Sequence, residues 1–534
     1  MIKSFKILPV LGRKTDVMAD NESLFRFISE NIAMTHDVGG INFDITIKAN
    51  ACTKTKGCVK WAGSATAQAT KCLGLYELVS GSTRDHIFFD NGKCYIYDGS
   101  LDPVVKEDAG TTTFATDNTD IYSMCTVGAY MVFADRAEHT PQKWKHGDAA
   151  LTPLIASGTE YKFRYVVPFQ RRVLGLYSDQ ANGDIEIRWS TSWPGTAIVD
   201  LNYPATNQLY VPNDDSITGG AIMGHDRCYI YCQNSIQQLV YYPDYSAPFR
   251  CHTMVQTQGC ESHHSIVNLG DRHYLFNRNY GFCEYRGGNN FPYGGLSISD
   301  PIEDLIQGIG ADYYDLIVGT FIPLTKEIVW TVPLYASTSP SHLLYYNIET
   351  RQWRVEDRSM RYVDEWRLVE DYTWNDLITD AGGGAADWSG VQANPWAYYA
   401  SVYQRLVYAN TNGYLYNRDS DGIDGANLDG YRIEPAMHFG EEFEKKFLQE
   451  IWFGIARSGS FSIDVYHRSG DTMGELIDES WTSLGSVSCD DNSRPVLPCN
   501  KTARYHQIKW GTDLKDERFR VTDIVFKYKT GSDI

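Results

Sequence analysis

The feature that most constrains this chain is a phrase it repeats: a short apolar strand, a polar turn bearing Asn or Gly, and a second apolar strand that returns. HIFFDNGKCYIYDGS begins at His86, AYMVFADRAEHTPQKW at Ala129, RVLGLYSDQANGDIEIRW at Arg172 and CYIYCQNSIQQLVYY at Cys228; HYLFNRNYGFCEY follows at His273, HLLYYNIETRQWRV at His342 and RLVYANTNGYLYNR at Arg405. Apolar runs punctuated this way are β-hairpins. The starts are 43, 43, 56, 45, 69 and 63 residues apart, and the first four steps lie near the roughly 40–50 residues of a four-stranded propeller blade. The 69-residue step holds an additional strand, EIVWTVP, and the 63-residue step holds a Gly- and Trp-rich insert, DYTWNDLITDAGGGAADWSGVQANPW.

Both faces of these strands are occupied. In CYIYC, Cys228, Ile230 and Cys232 point one way and Tyr229 and Tyr231 the other; in VLGLY, Val173 and Tyr177 oppose Leu174 and Leu176. A sheet with one wet face would alternate apolar with polar residues, because successive side chains project to opposite sides. Blades packed radially bury both faces, and so do antiparallel sheets stacked in two sandwiches, which stay open because no signature dipeptide repeats. The expected fold is all-β: a β-propeller of six to eight blades over 66–430, a C-terminal β-sandwich-like domain over 431–534, and an N-terminal extended arm over 1–65. The C-terminal part reads as longer alternating strands, with Phe461, Ile463 and Val465 opposing Ser462, Asp464 and Tyr466. Within the arm, NESLFRFISENI has the spacing of a short amphipathic helix. SDPIEDLIQGIG places Asp300 as an N-cap with Pro301 at the first helical position.

Composition narrows the function classes. The net charge is −19 and the 48 Lys and Arg residues are scattered, which does not suit a groove that clamps nucleic acid through phosphates. Such acidity favours solubility, and it also suits a surface that DNA must pass without sticking. The start, MIKSFKILPVLGRKTD, has an apolar run too short for a secretory signal, and no stretch approaches a membrane span. The expectation is synthesis in a cytosol. The twelve cysteines contain no CxxC, and several fall inside strands, where a reduced cysteine behaves as a small buried hydrophobe.

Few residues carry chemistry. NRDSDGIDGANLDG sets Asn417, Asp419 and Asp421 at alternate positions before Gly422, the first half of a calcium loop, but the twelfth position, which should supply a bidentate Glu, is Leu428. These three are the metal candidates. Cys251, His252, Cys260, His263 and His264 are zinc-ligand types at spacings that fit no closed tetrahedral motif. Ser178 to Trp189 approaches the Asp-box turn of sialidase propellers without its spacing. No GxSxG elbow, GxxxxGKS loop or HExxH helix occurs, and nothing places an acid and a base across a cleft. No catalytic residue or cofactor is expected, and the chain is read as not an enzyme.

The order over Arg172 to Gly288 resembles the propeller proteins of bacteriophage tails: a strand, then WSTSWPG, then SITGGAIMGHDRCYIYCQNSIQQL, then GCESHHSIVNLGDRHYLFNRNYGFCEY. These are the tail nozzle, tail tubular or tail stabilisation proteins of short-tailed phages. HFGEEFEKKFLQEIWFGI with the final DIVFKYK is similar to their C-terminal end, and PVLGRKTDVMADNE resembles their approach to the propeller. The resemblance implies a structural virion protein, made in the host bacterial cytoplasm and located in the tail. It implies a six-fold ring of copies below the portal and adaptor complex that extends the DNA channel and retains the genome until release. Its partners would be itself, the portal–adaptor complex, other tail proteins such as fibres, and genomic DNA passing without specific binding. The abundance of Tyr, 36 against 22 Phe, suits partly wet subunit contacts.

Two other classes stay open. One is a glycan-binding or glycan-hydrolysing propeller, free or on a phage fibre, which needs a central pocket with convergent carboxylates and aromatics. The other is a monomeric interaction scaffold.

Overall fold

The computed structural model describes residues 3–7, 39–46, 51–55, 57–60, 72–80, 83–90, 93–97, 105–108, 121–135, 139–155, 160–193, 201–243, 247–295, 297–369, 402–411, 413–420, 427, 429–434, 436–439, 443–456, 461–490, 494–514 and 519–530. The proposed helix in NESLFRFISENI and the insert over 371–396 lie outside these residues.

The repeated phrases fold as the blades of a seven-bladed propeller. Blade 1 runs through strands Cys72–Ser80, Thr83–Asp90, Lys93–Tyr97 and Val105–Asp108. Blade 2 comprises Ser123–Val127, Tyr130–Ala134, Gln142–Lys145 and Thr152–Pro153, and blade 3 Phe163–Phe169, Arg172–Ser178, Glu186–Trp189 and Gln208–Tyr210. Blade 4 holds Ile217–Met223, Arg227–Cys232, Ile236–Tyr241 and Phe249–Val255. Blade 5 has three strands, Val267–Asn268, His273–Asn277 and Gly281–Tyr285. Blade 6 is Val318–Ile322, Glu327–Val332, His342–Asn347 and Gln352–Asp357. Blade 7 takes Met360–Val369, Val402–Asn410 and Leu415–Ser420 from late in the chain and its fourth strand, Gly57–Lys60, from the beginning.

The first strands of consecutive blades touch all the way round, blade 7 meeting blade 1, so the ring is closed. Each gap between blades is filled by its own apolar cluster. Cys228, Ile230 and Cys232 pack toward blade 3 while Tyr229 and Tyr231 pack toward blade 5, which is why this strand is apolar on both faces. Val173 and Leu174 likewise part to opposite sides. Tyr177 does not follow Val173: its φ of 57° turns the backbone, and its ring joins Leu174 and Leu176. Eight buried residues, Trp366 and Phe88 among them, seal blade 7 to blade 1; a fully buried side chain of this size contributes about 1.5–3 kcal/mol. The early strand clasps the ring by pairing Tyr416 with Lys60 and Asn417 with Val59.

The long step between the fifth and sixth phrases is spent on short helical turns. Asp300 opens a 3-10 turn, Asp300–Ile302, that leads into helix Glu303–Gln307. Contrary to expectation Asp300 lies inside the first turn, Ser299 stands at the cap position, and no side chain caps it by a hydrogen bond. Ile302 and Leu305 go into the cluster between blades 5 and 6.

The C-terminal strands form a two-sheet sandwich. One sheet has the order Phe43–Thr46, Ala51–Lys54, Arg520–Thr530, Lys446–Ile455, Val496–Ala503, with Lys3–Ile7 also paired to Arg520–Thr530. The other contains Gly430–Ile433, Tyr505–Thr512, Ser462–Gly470 and Thr482–Ser488. Ile463 and Val465 are buried in the core between them, with Trp510, Phe453 and Phe526. The described parts of the first sixty residues, expected as an extended arm, are thus strands of this sandwich and of blade 7. One short strand, Gly39–Ile41, joins the two modules: it pairs with blade 6 at Val355 and with the sandwich at Ile433, so a nine-stranded sheet runs from one into the other. Among the described residues no helix is long and apolar enough to cross a membrane.

Candidate functional site

On the inner side of the ring a 3-10 turn, His263–Ser265, touches blades 2 to 6, blade 5 through the Phe276 N–H that donates to Ser265 Oγ. The chain reaches it from blade 4. Cys260 N–H donates to Cys232 O at 3.0 Å, and Thr218 Oγ1 donates to Cys260 O at 2.6 Å. Gly219 makes room, since a Cβ there would lie 2.9 Å from His263 Cα. Ser262 Oγ donates to Ile317 O at 3.0 Å, and Trp330 Nε1 of blade 6 donates to Ser265 O at 3.1 Å. Gly220 N–H donates to His263 Nδ1 at 3.3 Å, so the ring proton is on Nε2, 3.1 Å from Ser123 Oγ of blade 2. The His263 ring packs on Tyr165 of blade 3 with centroids 4.6 Å apart. His264 Nε2 donates to Ile121 O at 3.1 Å, leaving Nδ1 as an acceptor.

Beside this turn is a cavity of about 310 Å³ lined by Leu75, Tyr76, Glu77, Tyr122, Met124, His263, His264, Tyr362, Asp364 and Glu365. Apart from the turn, its walls belong to the innermost strands of blades 1 and 7 and the start of blade 2.

The three acids differ. Burial opposes charge on Glu77, but the neighbouring His86 ring and a hydrogen bond from Arg84 Nη1 at 2.9 Å outweigh it and hold the carboxyl below its ordinary range. Burial pushes Asp364 up to about 7, against hydrogen bonds from Glu365 N–H at 2.9 Å and Trp366 Nε1 at 3.2 Å, and the charge on Glu77 adds to the rise. Burial also carries Glu365 to about 7, opposed by Arg367. Its Oε1 is buried with no hydrogen-bond partner. The histidines go the other way: burial, then the Arg164 charge, lowers His263 to about 4, and burial holds His264 well below its usual value. At neutral pH the cavity therefore offers uncharged imidazoles, tyrosine rings and two carboxyls that are each partly protonated. Such groups both donate and accept hydrogen bonds, and carboxyls near neutrality are suited to general acid–base work.

Sequence reasoning missed this constellation. Glu77, His264 and Asp364 are far apart in the chain, and only ring closure brings the strands of blades 7 and 1 together. The segment GCESHHS was singled out, but as a loose set of metal-ligand types. Cys251 and Cys260 are thiols whose burial raises each to about 12, and Cys260 Sγ donates to Ser262 O. Among the described residues no group of three or more His, Cys, Asp or Glu is placed to hold a metal.

The calcium candidates are placed only in part. Asn417 and Asp419 belong to the strand Leu415–Ser420, in which Asn417 pairs with Val407 and Val59 and the register shifts between Asn417 and Ser420. Asp421 and Leu428 lie outside the described residues. Ser178 to Trp189 is a hairpin with a 3-10 turn at Gly183–Ile185. Cys125, Cys228, Cys232, Cys251, Cys260, Cys283 and Cys499 are thiols outside any disulfide.

No family model matches the chain, and no curated protein does. Among solved structures, an exo-β-1,3-galactanase from Phanerochaete chrysosporium, in complex with galactose, aligns over 89% of this chain and 100% of its own, at 9% identity and a TM-score of 0.28. The expectation that the chain is not an enzyme finds no support in this comparison, whose neighbour is one.

Proposed function

We propose that the chain is a ring-forming subunit of the tail of a short-tailed phage, placed below the portal and adaptor and extending the DNA channel. The observation that carries this reading is the joint between the modules. A sheet that continues from blade 6 through Gly39–Ile41 into the sandwich joins the two modules by strand pairing, which suits a ring that bears the thrust of packaged DNA. The resemblance of SITGG, GCESHHS and the HFGEEFEKKFLQEIWFGI segment to tail propellers supports the same reading. The test is the mass of the purified protein, alone and with the portal complex of its own phage, with negative-stain images of the product. A stoichiometric ring on the portal is expected; a monomer that ignores the portal overturns the reading.

A second reading, a glycan-binding or glycan-hydrolysing propeller, is favoured by one observation: Asp364 and Glu365, both near neutrality, open on the axial cavity beside tyrosine rings. Release of reducing sugar from bacterial surface polysaccharide by the purified protein, lost in Asp364→Asn or Glu365→Gln, is its expected signature.

A further inference from the structure

We infer that the axial cavity takes a single neutral sugar residue and rejects sugars carrying a carboxylate or phosphate. The inference rests on the glycan reading of that cavity and adds the chemical class of what enters it.

Size sets the first limit. A volume of about 310 Å³ sits at the lower end of the ~300–1,000 Å³ of small-molecule pockets, which is room for one sugar unit. The lining sets the second. Tyr76, Tyr122 and Tyr362 supply ring surface for the C–H face of a pyranose. The Nδ1 of His264 accepts, and the carboxyls of Asp364 and Glu365 accept or, when protonated, donate. Vicinal hydroxyls, each a donor and an acceptor, match that mixed set. The buried Oε1 of Glu365, without a hydrogen-bond partner, is a group for which a ligand hydroxyl would supply the missing bond.

Charge sets the third limit. Among the described lining residues there are three carboxyl groups and no Lys or Arg. The nearby cations are committed elsewhere or act from outside: Arg84 is paired with Glu77, Arg367 bears on Glu365, and Arg164 and Arg361 bear on His264. His263 and His264 stay neutral in these surroundings. An anionic sugar would bring its charge beside charged Glu77, with no Lys or Arg among the described lining residues to pair it. A neutral one meets no such opposition.

The experiment is saturation-transfer NMR on the full chain at pH 6.5, with D-galactose, D-glucose and N-acetyl-D-glucosamine as neutral probes and D-glucuronic acid and N-acetylneuraminic acid as anionic ones. Saturable transfer from at least one neutral sugar is expected, with the anionic sugars at least tenfold weaker. Binding should be lost in Glu365→Leu and largely kept in Glu365→Gln, which stays close in shape and still donates and accepts; both variants are checked for the parent's unfolding midpoint. If Glu365→Leu does not fold, Tyr362→Ala takes its place. An anionic sugar that binds as well as the neutral ones overturns the class and leaves the glycan reading standing. Absence of binding by every probe overturns both.

Discussion

Asn42 accepts the backbone N–H of Asp357 on its side-chain Oδ1 at 3.0 Å, tying the last strand of blade 6 to the joint between the modules. Its own N–H donates to Val355 O at 3.0 Å, its C=O accepts Thr55 N–H at 2.8 Å, and its Nδ2 donates to Asp429 O at 2.5 Å. Asn42 is 2% exposed and has φ at 57°, a left-handed conformation that Asn tolerates better than most residues. Asn42→Ala removes two part-buried hydrogen bonds and adds backbone strain, a loss of about 2–3 kcal/mol. Asn42→Gly removes the same bonds without the strain and should cost roughly 1 kcal/mol less, unless glycine's greater freedom in the unfolded chain offsets the difference. Urea unfolding of the two variants checks the order.

Gly219 and His263 make the second case. A Cβ on residue 219 would stand 2.9 Å from His263 Cα and 3.0 Å from its Cβ. Backbone cannot swing aside as a flexible side-chain end can, so Gly219→Ala should push the central turn off blade 4 at a cost of about 1–3 kcal/mol. Trp330 reports on it, because its indole donates to Ser265 O in the same turn. A shifted Trp emission together with a lower unfolding midpoint is expected; unchanged emission would show that the turn yields without moving Ser265.

Legibility followed distance along the chain. The blades could be read because a hairpin is local: Cys228 to Tyr241 declares both of its faces within fourteen residues, and the two faces do pack on different neighbours. The clasp could not be read, since nothing in GCVK says that it pairs with a strand more than 350 residues later. Lys3–Ile7 was equally silent about Arg520–Thr530. The axial cavity failed for the same reason, with Asp364 reaching Glu77 only through ring closure. Tyr177 failed locally, because alternation assumes an extended backbone that its positive φ breaks.

In the sandwich, His467 Nε2 and His506 Nδ1 are 3.0 Å apart, and His506 Nε2 donates to Lys446 O at 3.2 Å. His506 Nδ1 is therefore the acceptor and both rings are neutral. Burial lowers His467 to about 3, helped by His506 and Lys501; burial also lowers His506 to about 4, against backbone hydrogen bonds at Lys446 and Ala503. The unfolded chain takes up these protons near pH 6.5 and the folded chain does not. Stability is thus complete above 6.5 and falls as pH drops toward 4, by about 2 kcal/mol per histidine at pH 5. In His467→Gln the loss between pH 7 and pH 5, read from urea midpoints, should shrink by roughly that amount.

Asp364 and Glu365 act with the opposite sign. Their carboxyls sit at about 7 in the folded chain and near 4 once unfolded, so the folded state holds more protons across that window. Their contribution is fully present below the unfolded value and is lost as pH rises through about 7. Asp364→Asn and Glu365→Gln cannot ionise, so the fall in midpoint between pH 5.5 and pH 8 should be smaller in each variant than in the parent. Carboxyl ¹³C shifts give the direct check: two resonances titrating near 7 are expected, and each should vanish in one variant. Titration of both near 4 would mean that water fills the cavity well enough to solvate the two charges. In that case neither acid could hold a proton at neutral pH to donate to a sugar oxygen.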